Sequence, residues 1–331
     1  ASLFWALLCS LPRLPAQENN SLFEEKKILF LGNSITQNGL YVSLIAYALE
    51  QNYPGQTFDI TSIGLSSETV SGLTEPDHPF PRPCLSERLD SALALVQPDI
   101  VVACYGMNDG IYHPLEAGRT AAYQNGIIQL LEKTKAAGAQ LVLLTPPPFD
   151  PLPVTDRLVD ENAPEFGYKH PYRHYDQVLQ HYAGWLHTLS PQVLKVVDVH
   201  GYISNYVAEK RLTDPSFTLA PDGIHPTPEG HLLIAAAFLN AFGYNKNPAL
   251  LQHWKEVEED PVFQAVHLKR QKRSEAWLPF VGYIRGDTVR SLSPQPLLIL
   301  MGGQSNMAGV GCEGQRPVTN TFPPNFRANN F

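Results

Sequence analysis

The stretch Ile28–Gln37 reads ILFLGNSITQ: an apolar run that stops in Gly32-Asn33-Ser34 and resumes as a polar, helix-like segment. A strand of uninterrupted large apolar residues has no face to offer water, so it must be covered on both sides, the condition of a parallel sheet packed between helices. The pattern recurs along the chain. Strands are predicted at Lys27–Gly32, Phe58–Gly64, Ile100–Tyr105, Gln140–Thr145 and Val193–Val199, each separated from the next by enough residues for a helix. Runs such as DIVVACYG (Asp99–Gly106) and AQLVLLTP (Ala139–Pro146) have the continuous Val, Ile and Leu content of buried strands. This βαβ alternation predicts the α/β class, a parallel sheet sandwiched by helices. The last helix is punctuated at both ends, with Thr227 as cap, Pro228 in the first turn and Gly243 past the end.

Composition narrows the partners. The chain has 331 residues, 44% hydrophobic and 17% charged, enough for at least one full core, with length for a second domain. Its 24 basic and 32 acidic residues give a net charge of −8, which opposes a phosphate-backbone partner, so nucleic acid is excluded as a partner class. The segment Leu3–Leu11 is apolar and is followed by Pro12, Pro15 and Ala16 before a polar stretch, the pattern of a secretion signal cut near Ala16. No other segment approaches the roughly 20 apolar residues of a membrane span. Cys9 is preceded by Leu7 and Leu8, where a lipoprotein site needs small residues. Of the remaining cysteines, Cys84, Cys104 and Cys312, Cys104 falls inside an apolar strand and reads as a small core hydrophobe.

In an open parallel sheet, ligands sit beyond the carboxyl ends of the strands, so Ser34, on the turn after the first strand, faces the cleft. Gly32 permits the tight turn, and a helix is expected to follow at about Tyr41, leaving backbone N–H groups near Ser34 to face an anion. Taken alone, Ser34 is an ordinary helix cap. Three further strand ends give it company. SIGLSSET (Ser62–Thr69) offers the unobstructed N–H of Gly64, and YGMNDG (Tyr105–Gly110) places the Asn108 amide just past the sheet. APDGIHPTPEGH (Ala220–His231) sets Asp222 three residues before His225 on one loop. Each piece alone reads as turn chemistry; together they are the parts needed for acyl transfer.

In that order, Ser34, Gly64, Asn108 and Asp222/His225 resemble the four sequence blocks of the SGNH, or GDSL-like, hydrolase superfamily over about Lys27–Gly243. The resemblance implies a three-layer α/β/α, flavodoxin-like fold with a central five-stranded parallel sheet. It also implies ester hydrolysis through an acyl-enzyme intermediate, with no cofactor. Ser34 is the implied nucleophile, His225 the general base and acid, and Asp222 the group that orients the imidazole. The N–H groups of Ser34 and Gly64 and the Asn108 amide are the implied oxyanion hole. Asn33 stands where the family usually has Asp, which removes a charge beside Ser34.

The end of the chain repeats the opening pattern. Leu297–Asn306 reads LLILMGGQSN, and GGQSNMA (Gly302–Ala308) resembles the first block of sialate O-acetylesterases and related carbohydrate acetylesterases. Ser305 has no His or acidic partner after it, so the tail reads as the start of a second module. The organisation expected is a signal remnant at 1–17, a hydrolase domain at 24–243, a connector at 244–295 and the second module from 296. Within the connector, LKRQKR (Leu268–Arg273) is read as a solvated face.

A secreted or periplasmic bacterial carboxylic-ester hydrolase is the reading these features favour, acting on a small-molecule or glycan ester, with O-acetylated carbohydrate first. A lipase or lysophospholipase on longer acyl chains and a noncatalytic glycan-binding module are the alternatives. His113, His170, His174, His181, His187 and His231 have no ligand spacing, so no metal is expected. Asp198 and Asp109 read as turn-shaping residues. Ala163–Tyr175, APEFGYKHPYRHY, is either a substrate-facing lid or an irregular surface excursion.

Overall fold

The computed structural model describes residues 21–281. The signal-like segment with Cys9, and the tail with Ser305 and Cys312, lie outside the described residues.

Five strands form one parallel sheet in the order β2-β1-β3-β4-β5. In chain order the elements are β1 (Lys27–Gly32), α1 (Ser34–Asn38), α2 (Leu40–Asn52), β2 (Asp59–Ser62), α3 (Leu89–Val96), β3 (Ile100–Cys104) and α4 (Ala117–Ala136). They continue with β4 (Gln140–Leu144), α5 (Tyr175–Thr188), β5 (Lys195–Val197), α6 (Val199–Arg211), α7 (Pro228–Ala241), α8 (Trp254–Glu259) and α9 (Pro261–Phe280). All five expected strands form, β1 with the expected bounds and the other four shorter, β2 and β5 the most. α7 begins at Pro228 with the Thr227 hydroxyl accepting from Gly230 N at 3.3 Å, as its punctuation predicts.

Alternate residues of each strand feed two cores. Ile28, Phe30, Ile100, Val102, Val142 and Leu144 pack on the face covered by α2 and α7. Leu29, Leu31, Val101, Ala103, Leu141 and Leu143 pack on the face covered by α3, α4 and α5. At about 1.5–3 kcal/mol per large apolar side chain, these two layers are the main driving force for folding. Cys104 belongs to the first layer, and burial pushes its thiol up to about 12.

The register levels the strand ends. Gly32 lies opposite Cys104, Cys104 opposite Leu144, and Leu144 opposite Val197, so four strands finish at one height. Past β2, the chain stays alongside β1: Ile63 N donates to Phe30 O at 3.0 Å and Leu65 N to Gly32 O at 2.8 Å.

Two expectations need correction. No gap separates Ser34 from the helix that follows it: α1 starts at Ser34 itself, because buried Asn33 caps it by accepting from Ile35 N at 3.1 Å. Gly39, with φ of 68°, then turns the chain into α2. The basic run Leu268–Arg273 is not a solvated face either. It lies in α9, which packs on α2 and β2 and joins Phe263 and Val266 to the first core and Trp277 to the second. α9 thereby covers the edge that β2 would leave unpaired, and Arg273 pairs with Asp59 of that strand.

Gly64 is required by close packing: a Cβ there would lie 2.3 Å from Gln37 N and 2.4 Å from the Thr36 carbonyl carbon, both backbone. Gly64→Ala is expected to destabilise the fold by about 1–3 kcal/mol, read as a lower urea midpoint at unchanged slope.

Candidate active site

The levelled strand ends make a floor, and distant loops meet on it. Ser34 begins α1 immediately after β1. The loop bearing Asp222 and His225 arrives 191 residues later and is fastened to the chain beyond β4. There Asp150 N donates to Gly223 O at 2.9 Å. The Asp150 carboxylate accepts from Arg211 Nη2 at 2.8 and 2.7 Å and from Thr218 Oγ1 at 2.6 Å. Gly223 has φ of 84°, and its bare Cα lies over Asp150, where a Cβ would come within 2.9 Å of the carbonyl oxygen.

The three side chains form one hydrogen-bonded line. His225 Nε2 is 2.8 Å from Ser34 Oγ, and His225 Nδ1 is 2.6 Å from Asp222 Oδ2. Asp222 Oδ1 also accepts the backbone N–H groups of Ile224 at 2.9 Å and His225 at 2.7 Å. Partial burial works against the ionised carboxyl, but the bonds donated by His225 and Ile224 outweigh it and hold Asp222 down at about 2. An ionised carboxylate only accepts, so Nδ1 carries a proton, and in the neutral imidazole the lone pair is then on Nε2, toward the Ser34 hydroxyl.

Asn108 is held from two sides. Its Oδ1 accepts the Tyr112 hydroxyl at 3.0 Å, which fixes the amide orientation, and one of the two Nδ2 hydrogens goes to Glu68 O at 3.2 Å. The second remains available in a residue only 4% exposed. Glu68 is anchored in turn, its carboxylate accepting from Arg88 at 2.6 and 2.7 Å and from Tyr105 OH at 2.6 Å, all buried. Asp109 shapes the loop as its place predicts: Oδ1 accepts from Val70 N at 2.7 Å and Ser71 N at 2.9 Å, and Oδ2 from Gly106 N at 2.8 Å.

Gly64 is placed differently from Asn108. Because Ile63 and Leu65 both donate toward β1, alternation turns the intervening N–H of Gly64 away from the strand that carries Ser34. Farther along the loop, Ser66 N is taken by Gln37 Oε1 at 2.6 Å. Ser67 has φ of 66°, an uncommon left-handed conformation for a serine, and its N–H has no protein acceptor among the described residues. Neither Tyr112 nor Ser67 stands out in sequence, although the Asn-Asp-Gly turn before Tyr112 marks the loop.

Asp198 caps α6, accepting from Gly201 N at 2.9 Å. The stretch 163–175 is tied down: Tyr172 N donates to Tyr112 O at 2.9 Å, Tyr175 OH to Met107 O at 2.9 Å, and Gly167 packs against Asp77 and Glu75. Among the described residues, no three His, Cys, Asp or Glu side chains are grouped to hold a metal ion, and no helix is long and apolar enough to cross a membrane.

The GDSL-like Lipase/Acylhydrolase family profile matches residues 30–233. No curated protein matches the chain. Among solved structures, a gut microbial diltiazem-metabolizing enzyme is 22% identical with a TM-score of 0.52 over 68% of this chain, and the match spans 49% of that enzyme's length. Two variants of an acetyl-xylooligosaccharide esterase from Geobacillus stearothermophilus are 21% and 20% identical, with TM-scores of 0.50 and 0.51. The matches cover 71% and 69% of this chain and 98% of each of those. These likenesses establish a shared fold.

Asp109 gives a pH-dependent test. Burial, opposed by its N–H donors, lifts its carboxyl from 3.8 to about 6. A raised acid favours folding below its unfolded value and loses that contribution as pH rises through 6. Asp109→Asn would set an amide NH₂ against Gly106 N, at a cost of about 1–3 kcal/mol. The stability gap between wild type and this variant should therefore narrow from pH 4 to pH 7 in urea titrations.

Proposed function

The chain belongs to the GDSL-like lipase/acylhydrolase family and is an ester-bond hydrolase, and on that premise we propose that Ser34, His225 and Asp222 are its catalytic triad. The observation that carries this reading is the continuous line Ser34 Oγ, His225 Nε2, His225 Nδ1, Asp222 Oδ2, with both links under 3 Å at 2.8 and 2.6 Å. As Ser34 Oγ attacks the ester carbonyl, its proton passes to His225 Nε2, and Asp222 stabilises the resulting imidazolium. Collapse of the tetrahedral intermediate expels the alcohol, which takes the proton from His225. Water then attacks the acyl-serine with the same imidazole as base, releasing the acid and restoring Ser34.

The oxyanion is received by the free Nδ2 hydrogen of Asn108 and the N–H of Ser34. The third donor is the N–H of Ser67 rather than that of Gly64. The Ser67 N–H is free and lies one residue from Glu68, whose carbonyl holds the other Asn108 hydrogen, whereas the Gly64 N–H is turned away from β1. Gly64 is left with its packing role.

For substrate, we favour an O-acetylated carbohydrate. The side chains of His225 and Asp222 are both half exposed, so the leaving alcohol can be large and hydrated. The acetyl-xylooligosaccharide esterase of the same fold is a precedent for such chemistry, and the GGQSNMA resemblance in the tail points the same way. The apolar Leu3–Leu11 run favours a secreted or periplasmic setting.

Ser34→Ala should abolish ester hydrolysis, and unchanged hydrolysis would overturn the assignment. Asn108→Ala should lower kcat by about 10²–10³ with little change in KM. On p-nitrophenyl esters, kcat/KM should fall steeply from acetate to octanoate; a rise with chain length would transfer the assignment to a lipase. Acetate release from acetylated xylo-oligosaccharides is the direct test of the substrate class.

A further inference from the structure

The family profile ends at residue 233, yet a buried charge from residue 270 reaches the element that carries Ser34. Arg270 of α9 is only 6% exposed. Its Nη2 donates to Asn38 O at 2.8 Å, the last residue of α1, and its Nε to Ser43 Oγ at 3.1 Å in α2. The guanidinium lies on the bare Cα of Gly39, where a Cβ would come within 2.6 Å of Nη1. Ser43 Oγ is also 2.9 Å from His267 Nδ1, one turn earlier in α9. The contacts close around a single turn, the one that joins α1 to α2.

This is a costly arrangement for a merely structural contact. A desolvated guanidinium is expensive unless paired, and among the described residues no carboxylate is hydrogen-bonded to Arg270. Its acceptors are a helix-terminal carbonyl and a hydroxyl. A cation at a helix C-terminus complements the partial negative charge of the exposed carbonyls. α1 has only five residues, so its far end lies barely one turn from Ser34, and a shift of Asn38 moves Ser34 almost as a rigid body.

We propose that Arg270 is a positioning residue for the nucleophile: by clamping the carboxyl end of α1 and the Gly39 turn, it holds Ser34 Oγ in line with His225. The inference rests on Ser34 being the nucleophile. Arg270 touches no reacting atom and acts only through α1. The helix beyond the family domain is thus part of the machinery that sets the 2.8 Å contact between Ser34 and His225.

The test uses the full chain with Arg270→Met, which keeps an unbranched apolar stem and removes the guanidinium, and Arg270→Ala, which opens space for free guanidinium. Expected for both folded variants is a drop in kcat of about 10- to 100-fold with KM within twofold, the scale of an ångström-level misplacement of a reacting group. The second-order rate of Ser34 labelling by a fluorophosphonate should fall in parallel. Guanidinium at tens of millimolar should restore part of the Arg270→Ala rate, a recovery that loss of general stability would not produce. A folded Met variant with wild-type kcat and labelling rate would overturn the inference. If Met substitution prevents folding, a folded Ala variant at wild-type rate, or one impaired but unresponsive to guanidinium, would overturn it instead. Absence of labelling at Ser34 in the wild-type chain would count against the triad itself, so the two failures are distinguishable.

Discussion

Pairing of β1 with β3 in one register is the constraint from which the rest follows. Each strand is buried on both faces, and its odd and even residues belong to different cores. A slip of one residue would exchange Phe30 for Leu29 and Leu31 in layers packed to fit them, so the register is strongly determined. Its consequence is positional. Gly32, Cys104, Leu144 and Val197 end level, and the loops that follow β1, β3 and β4 emerge at one height, where the loop of residues 217–225 can lie across them. A hydrogen-bonded line spanning 191 residues of sequence needs little adaptation once its two carriers are fixed to the same floor.

Buried charges fasten the loops to that floor. The Glu68–Arg88 pair, with Tyr105, holds the segment between β2 and α3, and Glu75 accepts from Arg82 at 2.5 Å through both Nε and Nη2. Arg82 Nη1 reaches back to Ser67 O at 3.3 Å, so the left-handed residue is gripped by the same network. Such pairs add little net stability, because desolvation offsets the attraction, yet losing either partner strands a charge in a dry interior. Their effect is to leave the loop one arrangement. That is the condition for hydrogen-bond donors that must be in place before charge develops on a substrate.

The fold was legible because its signals are local. Continuous apolar runs mark the strands, and Thr227-Pro228 marks the start of α7. The site was partly legible for a related reason: Asp222 and His225 share one loop, and a three-residue spacing lets one carboxylate bond both the backbone and the ring of the histidine. What the sequence concealed is tertiary. α1 is too short to have a period. The run Leu268–Arg273 carries five charged or polar residues after its leucine, and nothing local distinguishes Arg270, which meets the Gly39 turn, from the lysines beside it. Tyr112 acquires its importance from a left-handed backbone (φ of 60°) that aromatic residues seldom adopt, and composition does not announce such a conformation.

Exposure differs across the site in a way that suits two-step ester hydrolysis. Asn108 and the Glu68 network are buried, while the side chains of His225 and Asp222 are half exposed. In the proposed mechanism the oxyanion forms on the dry side, where fixed dipoles interact strongly because no water competes. The alcohol leaves, and the hydrolytic water enters, on the wet side, beside the imidazole that must protonate one and deprotonate the other. Deep burial of the imidazole would strengthen its bond to Asp222 but obstruct both exchanges. Exposure of Asn108 would ease access at the expense of preorganisation. Opposite demands are met because Asn108 follows β3 whereas His225 lies on the loop between α6 and α7, and the single register that levels the strand ends lets each side of the reacting carbon have its own solvent environment.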